Sequence, residues 1–286
     1  MYTLGGLLIA VATVYAWPYF ATGEGWWVAE RPALLTVAFL DIGQGDAIFV
    51  ETPDGVQLLI DGGPDSSILR ELPKVMPPLD RSIDAILATH PDKDHIGGLV
   101  DVLERYDVSL IIRTENRNDT AVSRRFDAAA EAEPNAVIHY ARAGQVISLG
   151  ASTTLHIYSP ASDPTTWESN TASIVKKLSF GEIDFMLTGD APLSIENYLV
   201  DTYGTLLASE VLKLGHHGSR TSTADRFLDM IAPLYGVVSA GRNNRYGHPH
   251  DSVVGKFTSR SIPLLSTAES GTIIFKTDGV RVWVEE

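Results

Sequence analysis

His90-Pro91-Asp92-Lys93-Asp94-His95-Ile96-Gly97-Gly98 is the stretch on which the reading of this chain turns. It puts four potential metal ligands within six residues and ends on a glycine pair. The run Ile83-Asp84-Ala85-Ile86-Leu87-Ala88-Thr89 before it is mostly apolar and reads as a buried strand. Imidazole nitrogens and carboxylate oxygens crowded at a strand end suit a divalent metal ion. The alternative is a solvated polar turn, but such a turn has no need of two histidines bracketing two aspartates.

Outward from this cluster the same pattern recurs. Strands are expected at 34–40, 47–52, 56–60, 83–88, 110–112, 136–140, 145–148, 153–158, 172–179, 183–187, 210–214 and 235–240, with a C-terminal hairpin of 272–276 and 280–284. Helices are expected at 66–75, 96–105, 119–133, 193–200, 223–231 and 251–260. Strands interleaved with helices argue for α/β layering. Polar, glycine-flanked loops follow the apolar strands at Ile60, Ala88, Leu187, Leu214 and Ala240, which is where α/β folds assemble sites. Six of the eight histidines lie in these loops: His90, His95, His216, His217, His248 and His250. His139 and His156 fall on expected strands and read as structural.

Composition narrows the chemistry. The chain has 286 residues, enough for a large core, and no cysteine, so thiolate nucleophiles and cysteine zinc sites are excluded. Any metal must be held by His, Asp, Glu or Asn. A net charge of −14 argues against broad passive binding of nucleic acid, but not against a phosphodiester handled locally by metal ions. Tyr2 to Phe20 carries no charged side chain and would be roughly 28 Å long as a helix, near bilayer thickness. With the aromatic residues Tyr15, Trp17, Tyr19, Trp26 and Trp27 around it, residues 1–22 read as a membrane anchor. A cleaved signal segment and a buried helix are the alternatives. Residues 23–33 read as a linker, and 34–286 as the functional domain.

The run HPDKDHIGG resembles the His-x-His-x-Asp-His signature of the metallo-β-lactamase superfamily. Leu59-Ile60-Asp61-Gly62-Gly63, Leu187-Thr188-Gly189-Asp190 and Leu212-Lys213-Leu214-Gly215-His216-His217-Gly218-Ser219 resemble its other motifs, in the same order. Phe39 to Ala47 (FLDIGQGDA), the HHGS run and Asn243 to His250 (NNRYGHPH) are similar to the C-terminal hydrolase domain of the ComEC competence proteins. The resemblance covers residues 34–284. It implies a four-layer αββα sandwich, two divalent metal ions (zinc or manganese), and hydrolysis of phosphodiesters by metal-bound hydroxide. A nuclease role in DNA uptake, on the outer side of the membrane and beside competence machinery, goes with it. The chain departs from the family in three ways. Asp92 stands where the superfamily has its second His, which favours harder metals. No clear third His lies between Asp94 and Asp190, leaving Asn170 in that region. ComEC proteins also carry a multi-helix membrane domain, whereas this chain has room for one span.

On this reading His90 and Asp92 hold the first metal, Asp94 and His95 the second, and Asp190 bridges them. His216 or His217 completes the second site, and the other of the pair positions phosphate or protonates a leaving group. Asp94, Asp190 and His217 are thus the catalytic candidates. Asp61 is expected to orient a ligand, with turn capping as the alternative. Gln44 and Asp46 are expected to line the cleft, against plain turn chemistry. Asn170, Asn244, Arg245, Tyr246 and His248 are candidates to meet substrate, and Lys93 to meet an anion or solvent. Ser219 with a histidine base would leave the carboxylates without a task. Two other functions remain open: a phosphodiesterase or esterase acting on envelope polymers or lipids, and a non-catalytic accessory module for DNA uptake.

Overall fold

Apolar residues run almost without interruption through the expected strands, which requires both faces of each strand to be covered. The computed structural model, which describes residues 34–285, meets that requirement with two face-to-face sheets. The segments expected as anchor and linker lie outside the described residues. Among the described residues no helix is long and apolar enough to cross a membrane.

The first half of the chain runs β1 Leu35–Phe39, β2 Ile48–Glu51, β3 Gln57–Ile60, α1 Ile68–Val75, β4 Ser82–Ala88, α2 Lys93–Leu103, β5 Asp107–Arg113, α3 Ala121–Ala132 and β6 Val137–Tyr140. The second half runs β7 Val146–Leu149, β8 Thr153–Ser159, β9 Val175–Phe180, β10 Ile183–Leu187, α4 Leu193–Tyr203, β11 Val211–Lys213, α5 Asp225–Ile231, β12 Tyr235–Val238, α6 Asp251–Ser259, β13 Leu264–Ser266, α7 Thr267–Ser270, β14 Ile273–Thr277 and β15 Val282–Val284. One sheet is ordered β15-β14-β1-β2-β3-β4-β5-β6 and the other β13-β12-β11-β10-β9-β8-β7. Strands β3 to β6 pair in parallel, as do β10 to β13. The remaining pairs are antiparallel.

The two-residue period of a strand explains the layers. Val37, Phe39, Val50, Leu58, Ile60 and Leu87 point between the sheets, against Leu155, Leu178, Phe185, Leu187 and Val237. Their alternates Ala38, Phe49, Leu59 and Ile86 point outward onto Leu72 of α1, Leu99 of α2 and Phe126 of α3. On the other sheet Met186, Leu212 and Val238 point outward onto Leu199 of α4, Phe227 of α5 and Phe257 of α6. Each such buried side chain contributes roughly 1.5–3 kcal/mol. The result is the expected two-sheet α/β fold with helices on both outer faces.

Three expectations need correction. Helix α2 begins at Lys93 with Asp92 as its N-cap, so Asp94 and His95 lie on its first turn rather than in a loop. Strand β9 begins at Val175, not Ala172: Ile174 N donates to Thr89 O (3.0 Å) and Ser173 Oγ accepts from Asp190 N (3.2 Å), which pulls 172–174 out of the sheet. Strand β13, Leu264–Ser266, is too short to carry a periodic pattern and is legible only from its pairing with β12.

The glycine pair has a packing reason. A Cβ on Gly98 would sit 2.1 Å from Gly62 O, and one on Gly97 would sit 2.2 Å from Pro64 O. Gly62 N donates to His95 O (2.7 Å) and Gly98 N to Gly63 O (2.9 Å). The missing side chains let α2 press against the Asp61-Gly62-Gly63 loop, which fixes Asp94 and His95 relative to Asp61. Gly98→Ala is therefore expected to destabilise the fold by about 1–3 kcal/mol, read as a lower urea midpoint. An unchanged midpoint would remove this close approach as a constraint.

Candidate metal centre

The carboxyl ends of the parallel strands of both sheets come together along one edge. From the first sheet, β3 leads into Asp61, and β4 leads into His90, Asp92 and the first turn of α2. From the second, β10 leads into Asp190 and β11 into His216 and His217. His216 and His217 both take left-handed backbone angles (φ 49° and 55°), an unfavourable conformation for two consecutive side-chain-bearing residues. It turns both rings toward Asp190.

Three imidazoles present the same nitrogen to the centre. His95 Nδ1 donates to Asp61 Oδ2 (2.9 Å). His90 Nδ1 donates to Thr89 Oγ1 (3.0 Å), whose own proton goes to Asp61 Oδ2 (2.7 Å). His217 Nδ1 donates to the Ser239 carbonyl (3.0 Å) and lies 3.1 Å from Asp46 Oδ1. Carbonyls and carboxylates only accept, and the Thr89 proton is already committed, so each Nδ1 carries a proton. The Nε2 atoms of all three rings are left buried without a hydrogen-bond partner, as is Asp190 Oδ1.

Those orphaned atoms are spaced as ligands around a cation. Asp190 Oδ1 is 3.3 Å from His95 Nε2, and its Oδ2 is 3.6 Å from His217 Nε2 and 3.9 Å from His90 Nε2. Asp94 Oδ2 is 3.4 Å from His217 Nε2, and Asp92 Oδ2 is 3.7 Å from His90 Nε2. Hydrogen bonds run shorter, about 2.7–3.2 Å. A tetrahedron with metal–ligand arms of about 2.0–2.2 Å has edges of about 3.3–3.6 Å. Among the described residues, four overlapping sets have their ligand atoms within 4.8 Å of one another: His90/His95/Asp190, Asp94/His95/His217, Asp46/Asp190/His217 and Asp46/Asp61/His95. The first two use the unpaired Nε2 atoms together with Asp190 or Asp94. The residues present therefore fit divalent metal.

Electrostatics says the same. Burial opposes charge on Asp190, yet His217, His95 and His90 hold its carboxyl well below the usual range. Asp94, also opposed by burial, is held at about 2 by His217 and His95. At His95 burial is outweighed by Asp190 and Asp61, which raise its pKa well above the ordinary value. At His217 it is outweighed by Asp190 and Asp46, which raise it to about 9. Burial and the neighbouring His95 instead lower His90. Without metal, this cluster takes up protons to offset its own negative charge.

Two buried lysines support the carboxylates from below. Lys213 Nζ donates to Asp46 Oδ2 (2.8 Å) and to Leu214 O (2.9 Å). Lys176 Nζ donates to Ile174 O (3.3 Å); burial pushes its pKa down to about 8 against the pull of Asp61 and Asp46. Composition and spacing do not mark these residues, though a lysine interrupting an apolar strand is a visible signal. Asn118 Nδ2 and Ser169 Oγ, also missed, both donate to Asp92 Oδ1 (2.7 Å each) and leave Oδ2 for His90.

The remaining candidates divide. Asp61 and Asp46 are buried and grip His95 and His217, so Asp46 orients a histidine rather than lining an open cleft. His216 is partly exposed; its Nδ1 pairs with Thr221 Oγ1 (3.2 Å) and its Nε2 lies 3.7 Å from Asp190. The buried Asn170 Oδ1 has no hydrogen-bond partner among the described residues. Gln44 Oε1 accepts from Gly241 N (3.2 Å), tying two loops together. Asn244 does not offer its amide to substrate: Nδ2 donates to Gly241 O and His248 O, and Oδ1 accepts from Tyr246 N and His248 N. His248 forms a triangle with His216 and His217, with ring centroids 5.6 and 6.4 Å away. Burial and these neighbours lower its pKa to about 4. Tyr246 is exposed at the lip. Ser219 Oγ accepts from Thr221 N and Oγ1, a turn contact with no histidine base.

Two measurements follow from the histidine contacts. His217, raised from 6.5 to about 9, stabilises the metal-free protein fully below about pH 6.5, and that contribution is lost as pH rises through about 9. Divalent-metal affinity should climb over the same window, because metal displaces those protons. Calorimetric titration in buffers of different ionisation enthalpy will register the released protons, and a pH-independent affinity would refute the assignment. Asp61→Asn and Asp46→Asn should each weaken metal binding by about 10–100-fold, measured by competition with a chelator at constant far-UV spectrum.

The sequence profile described as the metallo-β-lactamase superfamily matches residues 40–242. The chain is 32% identical over 258 residues to ComE operon protein 3 of Bacillus subtilis, covering 84% of this chain and 33% of that protein. It is 30% identical over 252 residues to competence protein ComA of Neisseria gonorrhoeae, covering 87% of this chain and 33% of that protein. The chain thus spans about a third of the length of these relatives. Among solved structures it is similar to Igni18, a metallo hydrolase of Ignicoccus hospitalis, with TM-score 0.54, 16% identity, and coverage of 85% of this chain and 98% of that one. The profile match, with the motif order and the metal-ready cluster, establishes that the chain belongs to the metallo-β-lactamase superfamily.

Proposed function

We propose that this chain is a metal-dependent phosphodiesterase with a dinuclear centre, acting on nucleic acid outside the membrane in DNA uptake. The observation that carries the reading is the convergence of three Nε2 lone pairs on Asp190, with Asp92 and Asp94 at either side. In this assignment His90, Asp92 and Asp190 hold one ion. Asp94, His95, His217 and Asp190 hold the other. Divalent metal bound there, zinc or manganese, polarises a phosphoryl oxygen and makes a water acidic enough to react near neutral pH.

The chain's own groups do the rest. Asp61 and Asp46 hold His95 and His217 in the tautomer whose Nε2 faces inward. Asn118 and Ser169 restrict Asp92 to one free oxygen. His216, partly exposed beside Asp190, is placed to bind a phosphoryl oxygen or pass a proton to a departing alkoxide. The printed names of two relatives support the competence context, since both are proteins of competence or its operon. A cavity of about 650 Å³ adjoins Asp92 and Lys93 and is lined also by Asp65, Asp101, Thr120 and Arg125. Placement of the enzyme by an N-terminal membrane anchor belongs to the same proposal.

The full-length protein is expected to contain bound metal and to cleave bis-p-nitrophenyl phosphate and single-stranded DNA when loaded with Mn²⁺ or Zn²⁺. Asp190→Asn and Asp94→Asn should each lower kcat by at least about a hundredfold, about 2.7 kcal/mol of barrier. Absence of both metal and turnover would sink the reading, and full activity in the two variants would relocate the site.

A further inference from the structure

The acidic chain carries a cationic, aromatic lip directly over the metal centre. Its net charge is −14. Yet three arginines on the loops after β11 and β12 turn to neutral partners. Arg220 Nη2 meets His250 Nε2 (3.1 Å), Arg242 Nε donates to Ala268 O (3.0 Å), and Arg245 Nη2 donates to the Tyr246 hydroxyl (2.7 Å). Their charge is therefore free to act on an incoming anion. The Tyr246 hydroxyl, and more weakly the Asp94 carboxylate, favour the charged Arg245 guanidinium.

The rings are ordered. Tyr246, 48% exposed, stacks on His248 at 5.6 Å with planes 24° apart. His248 in turn lies 6.4 Å from His217 at 30°. Three rings thus run from the open lip to the metal-facing imidazole with their planes tilted only moderately. The Arg245 guanidinium carbon sits 4.9 Å from the Tyr246 centroid. The backbone of the loop that carries Tyr246 is cross-bonded by Asn244, which commits its whole amide to four main-chain bonds across 241–248.

A flat ring presented beside arginines that lack a carboxylate partner, and joined through His248 to the metal-facing His217, matches one ligand chemistry. Single-stranded nucleic acid offers a base to stack and flanking phosphates to pair, and base–aromatic stacking is tolerant of sequence. Lipid headgroups and polyol phosphates bring phosphate without a planar ring. We propose that Tyr246, backed by His248, is the stacking subsite for the base next to the scissile phosphate of a single strand, with the exposed Arg245 guanidinium swinging off the outer face to pair with a phosphate as the base arrives, and that Arg220 and His250 meet a neighbouring phosphate. This rests on the phosphodiesterase reading for the position of the scissile bond, but not for the existence of the subsite.

The test is binding, so it does not depend on turnover. Fluorescence anisotropy would follow a phosphorothioate oligothymidylate titrated with metal-loaded full-length protein. An abasic strand of equal length and charge serves as control. Tyr246→Ala should weaken binding of the base-bearing strand by about tenfold, while Tyr246→Phe stays within about twofold of wild type. The abasic strand should bind more weakly and ignore Tyr246→Ala. Arg220→Gln should weaken both strands and flatten the salt dependence, as loss of a phosphate contact does. Equal affinity of Tyr246→Ala and wild type for the base-bearing strand overturns the subsite, as does an equal loss on both strands. Failure of the hydrolase reading would show separately, as absent turnover with stacking-dependent binding intact.

Discussion

Asp190 is the junction on which the site depends. It arrives from the second sheet, at the end of β10, and meets His90 and His95 from the first sheet at 3.9 and 3.3 Å. It also meets His216 and His217 from β11, at 3.7 and 3.6 Å. A single buried carboxylate thus draws four imidazoles from two strand ends into one volume. The inter-sheet core brings the two edges to this distance; Asp190 gives them a shared counter-charge. Remove its carboxylate and the sheets still pack, but the imidazoles lose the group that makes them a cluster.

Such a cluster is costly to build, because burial disfavours every charged form in it. The fold offsets that cost by pairing. Asp61 receives protons from Thr89 and His95, Asp46 from Lys213 while it lies 3.1 Å from His217 Nδ1, and Asp92 from Asn118 and Ser169. Each acid that orients a histidine is itself held by a second donor. The lysines beneath explain how several carboxylates converge where water is excluded. Among the buried atoms left unpaired at the site are the three inward nitrogens and Asp190 Oδ1, the atoms a cation would satisfy, together with Asp46 Oδ1, Asn170 Oδ1 and His248 Nδ1. Backbone strain is present there too, at Asp61 and in the paired left-handed residues His216 and His217.

Around this centre the chain separates rigid support from open access. Helix α2 is pressed onto the Asp61 loop by two glycines, so its first turn carries Asp94 and His95 without slack. The backbone across 241–248 is cross-bonded by Asn244, yet it leaves Arg245 and Tyr246 outside. The access side is therefore cationic and aromatic, although the molecule as a whole is acidic. Charge on the chain as a whole says little about charge at the mouth of the site.

Much of this was legible in the residues alone. Alternating apolar runs ended at Ile60, Ala88, Leu187 and Leu214, and the polar residues beyond them were the ones that converge. Those features are local: a strand's period and the residues just past its end lie within a few positions of one another. The order of motifs then named the family. Lys213 with Asp46 is 167 residues apart, Ser169 with Asp92 is 77, and no local pattern announces either pair. Asn244 read as a substrate donor from its place in a polar loop; only the closed loop shows its amide consumed. The sequence by itself determined which side chains stand at the ends of which strands, since strand period and loop position are short-range matters. Tertiary structure alone decided which nitrogen of each histidine faces inward and which of His216 and His217 is buried. It also decided which acids orient rather than bind, because those outcomes rest on contacts between segments that meet only when the two sheets close.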